Sequence, residues 1–364
     1  MQATTMTNAD LPTLPGQLGT PGMQLRDDPR ADPRMLAAMA PLGLDIAGEP
    51  APIDASAPIE ALRAFAAETE GGFAGAFEAL ITSLPAVKAV TSSTEVIRGV
   101  DGNDIKLFIH RPATSRGPLP GVLHLHGGGM VIGEAAAIQY VRWRDELAAA
   151  GMVAVGVEFR NGAGKLGPHP FPAGLNDCTS ALQWVTDNKS RLGISKLVVS
   201  GESGGGNLTL ATTLRAKRDG RIGQIDGVYA QCPYIFGQYA QKSPALPSLQ
   251  ENDNYFIGCE LMTLLVRLYD PTGANATNPL AWPYHAKAAD LAGLPPHVIS
   301  VNQLDPLRDE GLAYFRKLLD AGVSAVSRTV NGTCHAGDCV FRGAMPDVYL
   351  ATIRDIKGFA DALV

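Results

Sequence analysis

Leu197-Val198-Val199-Ser200-Gly201-Glu202-Ser203-Gly204-Gly205-Gly206-Asn207 is the stretch that decides the fold of this chain. Its apolar start predicts a buried strand, and Leu208 through Lys217 carry a helix-compatible pattern. Between them lies Gly-x-Ser-x-Gly, which between a strand and a helix marks a nucleophile elbow. So tight a turn leaves no room for side chains at its flanks, which is why Gly201 and Gly205 stand there and Ser203 is thrust out above the sheet. With 40 glycines in the chain the pentapeptide alone is weak evidence, and its flanks give it weight.

Outward from the elbow, strand and helix patterns alternate. Strands are expected at Gly121–Leu125, Met152–Phe159, Lys196–Ser200, Ile225–Gln231, Val298–Asn302 and Ala325–Val330. Helices are expected at Ala136–Ala150, Ala173–Asn188, Glu310–Ala321 and Pro346–Leu363. Thr91–Arg98 and Ile105–His110 read as an antiparallel pair joined around Asp101-Gly102-Asn103. The alternation predicts an α/β fold: a mostly parallel central sheet flanked by helices on both faces. Residues 1 to about 30 read as a loosely held arm. Between Asp32 and Leu84, broken by Pro50, Pro52 and Pro58, two or three helices precede the first strand. The stretch Phe236–Ala292, after the sixth strand, is too long for a connector and reads as an insertion over the site. The division is therefore an N-terminal arm with cap helices over 1–90 and a catalytic domain over 91–364, with 236–292 adding to the cap.

Bulk properties narrow the function. A chain of 364 residues, 46% hydrophobic and 18% charged, buries a sizeable core. Its net charge of −6, without a basic run, argues against nucleic acid or an anionic membrane surface as partner. No apolar stretch approaches the roughly 20 residues that span a bilayer, and Met1–Thr20 lacks the pattern of a secretory signal. Five cysteines without Cys-x-x-Cys suit a reducing compartment, so a cytoplasmic location is expected.

A serine hydroxyl needs a base, and in this arrangement acid and base follow the serine on loops beyond later strands. Of seven histidines only His335 lies beyond the expected acid loop, within Asn331-Gly332-Thr333-Cys334-His335-Ala336-Gly337. Two acids, Asp305 and Asp309, follow the strand at Val298–Asn302. Asp305 is favoured, since it comes sooner and is held by Pro306, whereas Asp309 sits where a helix start attracts an acidic residue anyway. His126-Gly127-Gly128-Gly129, after Gly121–Leu125, offers bare backbone N–H groups for an oxyanion; one such donor is worth about 3 kcal/mol in a transition state. His126 is expected to brace that loop, and His124 to be a sheet residue. The Gly-rich loop has neither a P-loop lysine nor dinucleotide spacing. Cys334, His335, Asp338 and Cys339 lack the complement of a zinc site, so no metal is expected.

Taken in order, His126-Gly127-Gly128-Gly129, Gly201-Glu202-Ser203-Gly204-Gly205-Gly206-Asn207, Asp305-Pro306-Leu307-Arg308-Asp309-Glu310-Gly311 and His335 resemble the hormone-sensitive-lipase family of α/β-hydrolases. Pro168-His169-Pro170-Phe171-Pro172-Ala173 looks like a further family segment. The resemblance covers Thr91 to the C-terminus and is nearest the bacterial brefeldin A esterase branch. It implies an α/β-hydrolase fold, a Ser203–His335–Asp305 triad and an oxyanion hole from Gly128, Gly129 and Gly204, with Gly127 as a further donor. It also implies hydrolysis of small to medium carboxylic esters through an acyl-enzyme, without a cofactor. Gly204 stands where many members have alanine, Glu202 where many have aspartate, and His335-Ala336-Gly337 replaces the usual His-Gly-Phe. The same triad would serve lactone or amide hydrolysis, and a relative without a base would be a small-molecule receptor; the complete set disfavours the receptor. With no amphipathic lid in evidence, small esters are favoured over long-chain lipids. Tyr234, Phe236, Tyr255, Phe256 and Met262, with the helices over 35–84, are candidates for the pocket wall.

Overall fold

A computed structural model describes residues 14–48 and 50–364. Eight strands form one sheet: β1 (Val90–Arg98), β2 (Asp104–Pro112), β3 (Leu119–Leu125), β4 (Val153–Glu158), β5 (Ile194–Glu202), β6 (Gly227–Gln231), β7 (His297–Leu304) and β8 (Ala325–Cys334). Their order is β1-β2-β4-β3-β5-β6-β7-β8. β2 is antiparallel to both β1 and β4, and every other pairing is parallel. The hairpin turns at the expected place, with Arg98 opposite Asp104.

Parallel strands must be covered on both faces, and the period of two assigns the cover. Val122, Ala154 and Val198 point to one side, against Trp143, Leu147, Ile353 and Ile356. The first two belong to the helix Ile138–Ala149 and the last two to the helix Pro346–Asp361. Leu123, Val155 and Val199 point to the other, in the cluster that holds Leu175, Cys178, Leu208 and Tyr314. The major helices are α1 (Pro33–Met39), α2 (Ile59–Ile81), α3 (Ile138–Ala149), α4 (Ala173–Asp187), α5 (Gly204–Arg218), α6 (Cys259–Tyr269), α7 (Arg308–Asp320) and α8 (Pro346–Asp361). Helices α1 and α2 precede the first strand as expected. Asp32 caps α1 by accepting the Arg34 N–H, and Pro58 stands at the start of α2. Helix α2 lies over the sheet as a cap. Its Glu70 accepts N–H bonds from Gly133 (2.7 Å) and Lys165 (2.9 Å), which ties cap to body.

The expected loose arm is corrected in part; residues 1–13 lie outside the described residues. From Leu14 on the segment is docked. Leu25 is buried, Arg30 binds Asp28, Glu251 and Asn252, and the Asp32 N–H bonds to Gly332 O at 2.9 Å. An isolated buried leucine and charge pairing, rather than a helical stripe, hold this segment down, so hydrophobic periodicity gave no sign of it.

The insertion between β6 and β7 contains α6 and is anchored by Glu310. Glu310 Oε1 accepts the N–H groups of Ile235 (2.6 Å) and Phe236 (3.2 Å) and the Tyr239 hydroxyl (2.9 Å). Burial pushes the Glu310 carboxyl up to about 8. Its stabilising protonation is complete below the ordinary carboxyl range near 4.5 and is lost as pH rises through about 8. Between pH 6 and 9 the wild-type protein should therefore lose on the order of 2 kcal/mol that Glu310→Gln does not lose. Urea unfolding of both proteins across that range checks it, and parallel profiles would contradict it.

Candidate active site

β5 ends at Glu202 and α5 starts at Gly204, so Ser203 alone makes the turn. Its φ of 57° and ψ of −119° lie where a side-chain-bearing residue costs of order 1–3 kcal/mol. Surrounding bonds hold it there: the Ser203 N–H donates to Gln231 O at 3.0 Å, and Ser203 O accepts from Tyr234 N at 3.1 Å. A Cβ on Gly205 would lie 1.9 Å from Leu125 O, which explains the glycine. The Ser203 side chain is half-buried, faces the main cavity and has no hydrogen-bond partner among the described residues.

Asp305 and His335 each follow the last residue of a strand. Because β7 and β8 are parallel neighbours with Leu304 beside Cys334, the next residues of both emerge side by side. His335 Nδ1 lies 2.8 Å from Asp305 Oδ2, and both residues are buried. The remaining carboxylate oxygen accepts the Leu307 N–H at 2.8 Å. With Nδ1–H donated to the carboxylate, Nε2 is the basic nitrogen. Asp309 is occupied elsewhere, by the Ser248 N–H (2.7 Å) and Arg308 (2.9 Å). The N-terminal segment supports both loops. Arg30 and Arg308 bind Glu251, Asn252 donates to Asp305 O at 3.1 Å, and the Cys334 N–H reaches Met35 Sδ at 3.4 Å.

The glycine loop after β3 lines the same cavity as Ser203. One expectation is corrected: the Gly127 N–H cannot serve an oxyanion, because it donates to Glu202 Oε1 at 2.6 Å. Those of Gly128, Gly129 and Gly204 are bound to no acceptor outside the helix among the described residues. A Cβ on Gly204 would stand 2.6 Å from both Gly129 N and Met130 N, so glycine there lets the loop approach the start of α5. His126 braces the loop, as expected: its Nδ1 lies 2.8 Å from Gly127 O and its ring stacks on Phe159 at 4.1 Å. Burial pushes its imidazole down to about 3, so it stays neutral. His124 lies in β3 and contacts Glu202 Oε2 at 3.1 Å.

The cavity encloses about 1200 Å³, mouth included, and its walls are largely apolar. Tyr234, Phe256 and Met262 line it, as do Phe73 and Phe77 of α2. Phe236 and Tyr255 do not: Phe236 packs on Tyr239 and Tyr284, and the Tyr255 hydroxyl donates to Asp28 at 3.1 Å. Tyr140, Trp143 and Leu265 line the cavity although nothing in the sequence pattern set them apart from core residues. Two of the residues around His335 that fall short of a zinc site are engaged in hydrogen bonds. Asp338 accepts from Asn302 (2.9 Å) and Thr352 (2.8 Å), and Cys339 Sγ from Gln231 (2.9 Å). Cys232, which the sequence did not single out, has its thiol within 4.8 Å of the Asp305–His335 pair. Burial, and then the nearby Asp305 charge, push that thiol well up, which makes it a poor nucleophile.

Comparison with known proteins agrees with this geometry. The family described as the alpha/beta hydrolase fold matches residues 122–337. A solved structure described as brefeldin A esterase, a bacterial homologue of human hormone sensitive lipase, shares 48% identity over 96% of this chain and 98% of its own, with a TM-score of 0.93. The structure of esterase Est22 shares 35% identity over 93% of this chain and all of its own, with a TM-score of 0.83. A carboxylesterase of Mycobacterium tuberculosis is 32% identical over 73% of this chain and 81% of its own length. This chain belongs to the α/β-hydrolase family, in the hormone-sensitive-lipase branch that includes the bacterial brefeldin A esterase, and is a carboxylic ester hydrolase of the serine type.

Proposed function

We propose that Ser203, His335 and Asp305 form the catalytic triad, with an oxyanion hole from the N–H groups of Gly128, Gly129 and Gly204. Ser203 Oγ attacks the ester carbonyl as His335 Nε2 takes its proton. The tetrahedral oxyanion is held by the three backbone donors. The C–O bond to the alcohol breaks as His335 returns the proton to the leaving oxygen. Water, deprotonated by the same imidazole, then cleaves the acyl-enzyme and releases the acid. Asp305 holds the imidazole and stabilises its charged form without taking the proton. The observation that carries this reading is the 2.8 Å contact between His335 Nδ1 and Asp305 on the cavity that Ser203 also faces.

The substrates are uncharged esters of small to medium size, in keeping with the apolar walls from α2, α3 and α6. The cap over this cavity comprises the described residues up to 90 together with residues 236–292. Among the described residues no helix is long and apolar enough to cross a membrane. A cytoplasmic setting is supported by five cysteines that are all free thiols.

A fluorophosphonate reagent tests the assignment, since only an activated serine reacts. One equivalent should attach at Ser203, alongside hydrolysis of p-nitrophenyl acetate through octanoate with a maximum at short chains. Folded protein that resists labelling, or is labelled at another residue, would overturn the reading.

A further inference from the structure

We infer that Glu202 is the positioning residue of the oxyanion loop, the group that ties the donor loop to the nucleophile's own turn. The inference rests on the reading that Gly128, Gly129 and Gly204 are the oxyanion donors. Glu202 is the last residue of β5, adjacent to Ser203, and its side chain is almost wholly buried. Its backbone pairs with Gln231 in β6, the residue whose carbonyl also holds the Ser203 N–H. From that fixed base the side chain crosses to β3. Oε1 accepts the Gly127 N–H at 2.6 Å, and Oε2 meets His124 Nε2 at 3.1 Å. His126 Nδ1 holds the Gly127 carbonyl at 2.8 Å. The Gly127 N–H and carbonyl are thus both anchored. That matters because three consecutive glycines are the least restrained backbone a chain can have. A hole made from them stabilises an oxyanion well only if its donors are already aimed when the charge develops. Glu202 supplies that aim and, because it adjoins Ser203, keeps the donors in register with the attacking oxygen.

Reach and charge can be separated. Glu202→Gln keeps the length and an acceptor oxygen but no charge. Glu202→Asp keeps the charge and withdraws the carboxylate by about 1.5 Å, which takes the Gly127 contact beyond hydrogen-bond range. Glu202→Ala removes both. Each variant is assayed with p-nitrophenyl butyrate and with the matching thiono ester, whose sulfur is a poor acceptor and so reports on the hole itself. Glu202→Ala and Glu202→Asp should lower kcat about 10–100-fold with KM little changed, and should shrink the preference for the oxo over the thiono ester. Glu202→Gln should restore most of the lost kcat and of that preference. Should Glu202→Ala fail to fold, the Asp and Gln variants decide. An active Glu202→Asp beside an impaired Glu202→Gln would overturn the inference in favour of a role for charge. A wild-type enzyme that prefers the oxo ester, with variants that prefer it equally, would also overturn it while leaving the oxyanion hole standing. A wild-type enzyme with no such preference would overturn the hole, and the inference with it.

Discussion

Ser203→Ala is expected to lower kcat/KM for p-nitrophenyl butyrate about 10⁶-fold, with the fold unchanged. The loss is large because a nucleophile, its base and the acid, the roles proposed for Ser203, His335 and Asp305, act as a unit, so that without Oγ only the donors and the binding surface still help. The fold should survive because the Ser203 hydroxyl has no hydrogen-bond partner among the described residues and its removal orphans nothing. Alanine can hold the φ of 57° on the same backbone bonds, to Gln231 O and from Tyr234 N, at a cost close to that of serine. The melting temperature should stay within about 2 °C of the parent. The measurement is steady-state hydrolysis beside a thermal melt, and a correctly folded variant with a tenth of the parent activity would remove Ser203 from the mechanism.

Asp305→Asn is expected to cost about 10⁴-fold in kcat, through a route that the hydrogen bonds specify. Both carboxylate oxygens are acceptors here, one for the Leu307 N–H at 2.8 Å and one for His335 Nδ1 at 2.8 Å. An asparagine has only one oxygen to offer. A backbone N–H cannot become an acceptor, so the amide oxygen stays with Leu307 and the NH₂ turns to the imidazole. His335 Nδ1 must then accept, the proton moves to Nε2, and the nitrogen proposed to take the Ser203 proton is no longer a base. Asp309→Asn makes the contrast: Asp309 serves Ser248 and Arg308, so its variant should keep kcat largely intact while losing some stability. Equal losses at 305 and 309 would contradict the assignment of the acid.

How much of this could be read beforehand differs from residue to residue. The elbow was legible because its requirement is local: a turn between strand and helix admits glycine at its flanks whatever the rest of the chain does. His335 and Asp305 were legible from their order after late strands, and the strands proved longer than their apolar runs, reaching Leu304 and Cys334 and so placing both residues at the strand ends. The capture of the Gly127 N–H by Glu202 was not legible, since it joins residues 75 apart through a side chain whose direction only the sheet sets. Nor was the docking of residues 25–35, which depends on an arginine meeting a carboxylate and an amide from the insertion. The cavity wall was half legible: the helices over 35–84 were candidates and α2 does supply Phe73 and Phe77, but Tyr140 and Trp143 look like any other helix residues until α3 is packed.

By itself the sequence determined the alternation of strand and helix, the sharp turn at Ser203 and the chemical types available to work beside it, because each depends on backbone sterics or on patterning within a few residues. Only the tertiary structure brought Asp305 and the imidazole into contact, and it alone decided which glycine N–H groups remain free and which of the candidate side chains wall the cavity. Those outcomes depend on the register of β7 against β8 and on side chains crossing from β5 to β3, both of which arise only when strands distant in the chain become neighbours in the sheet.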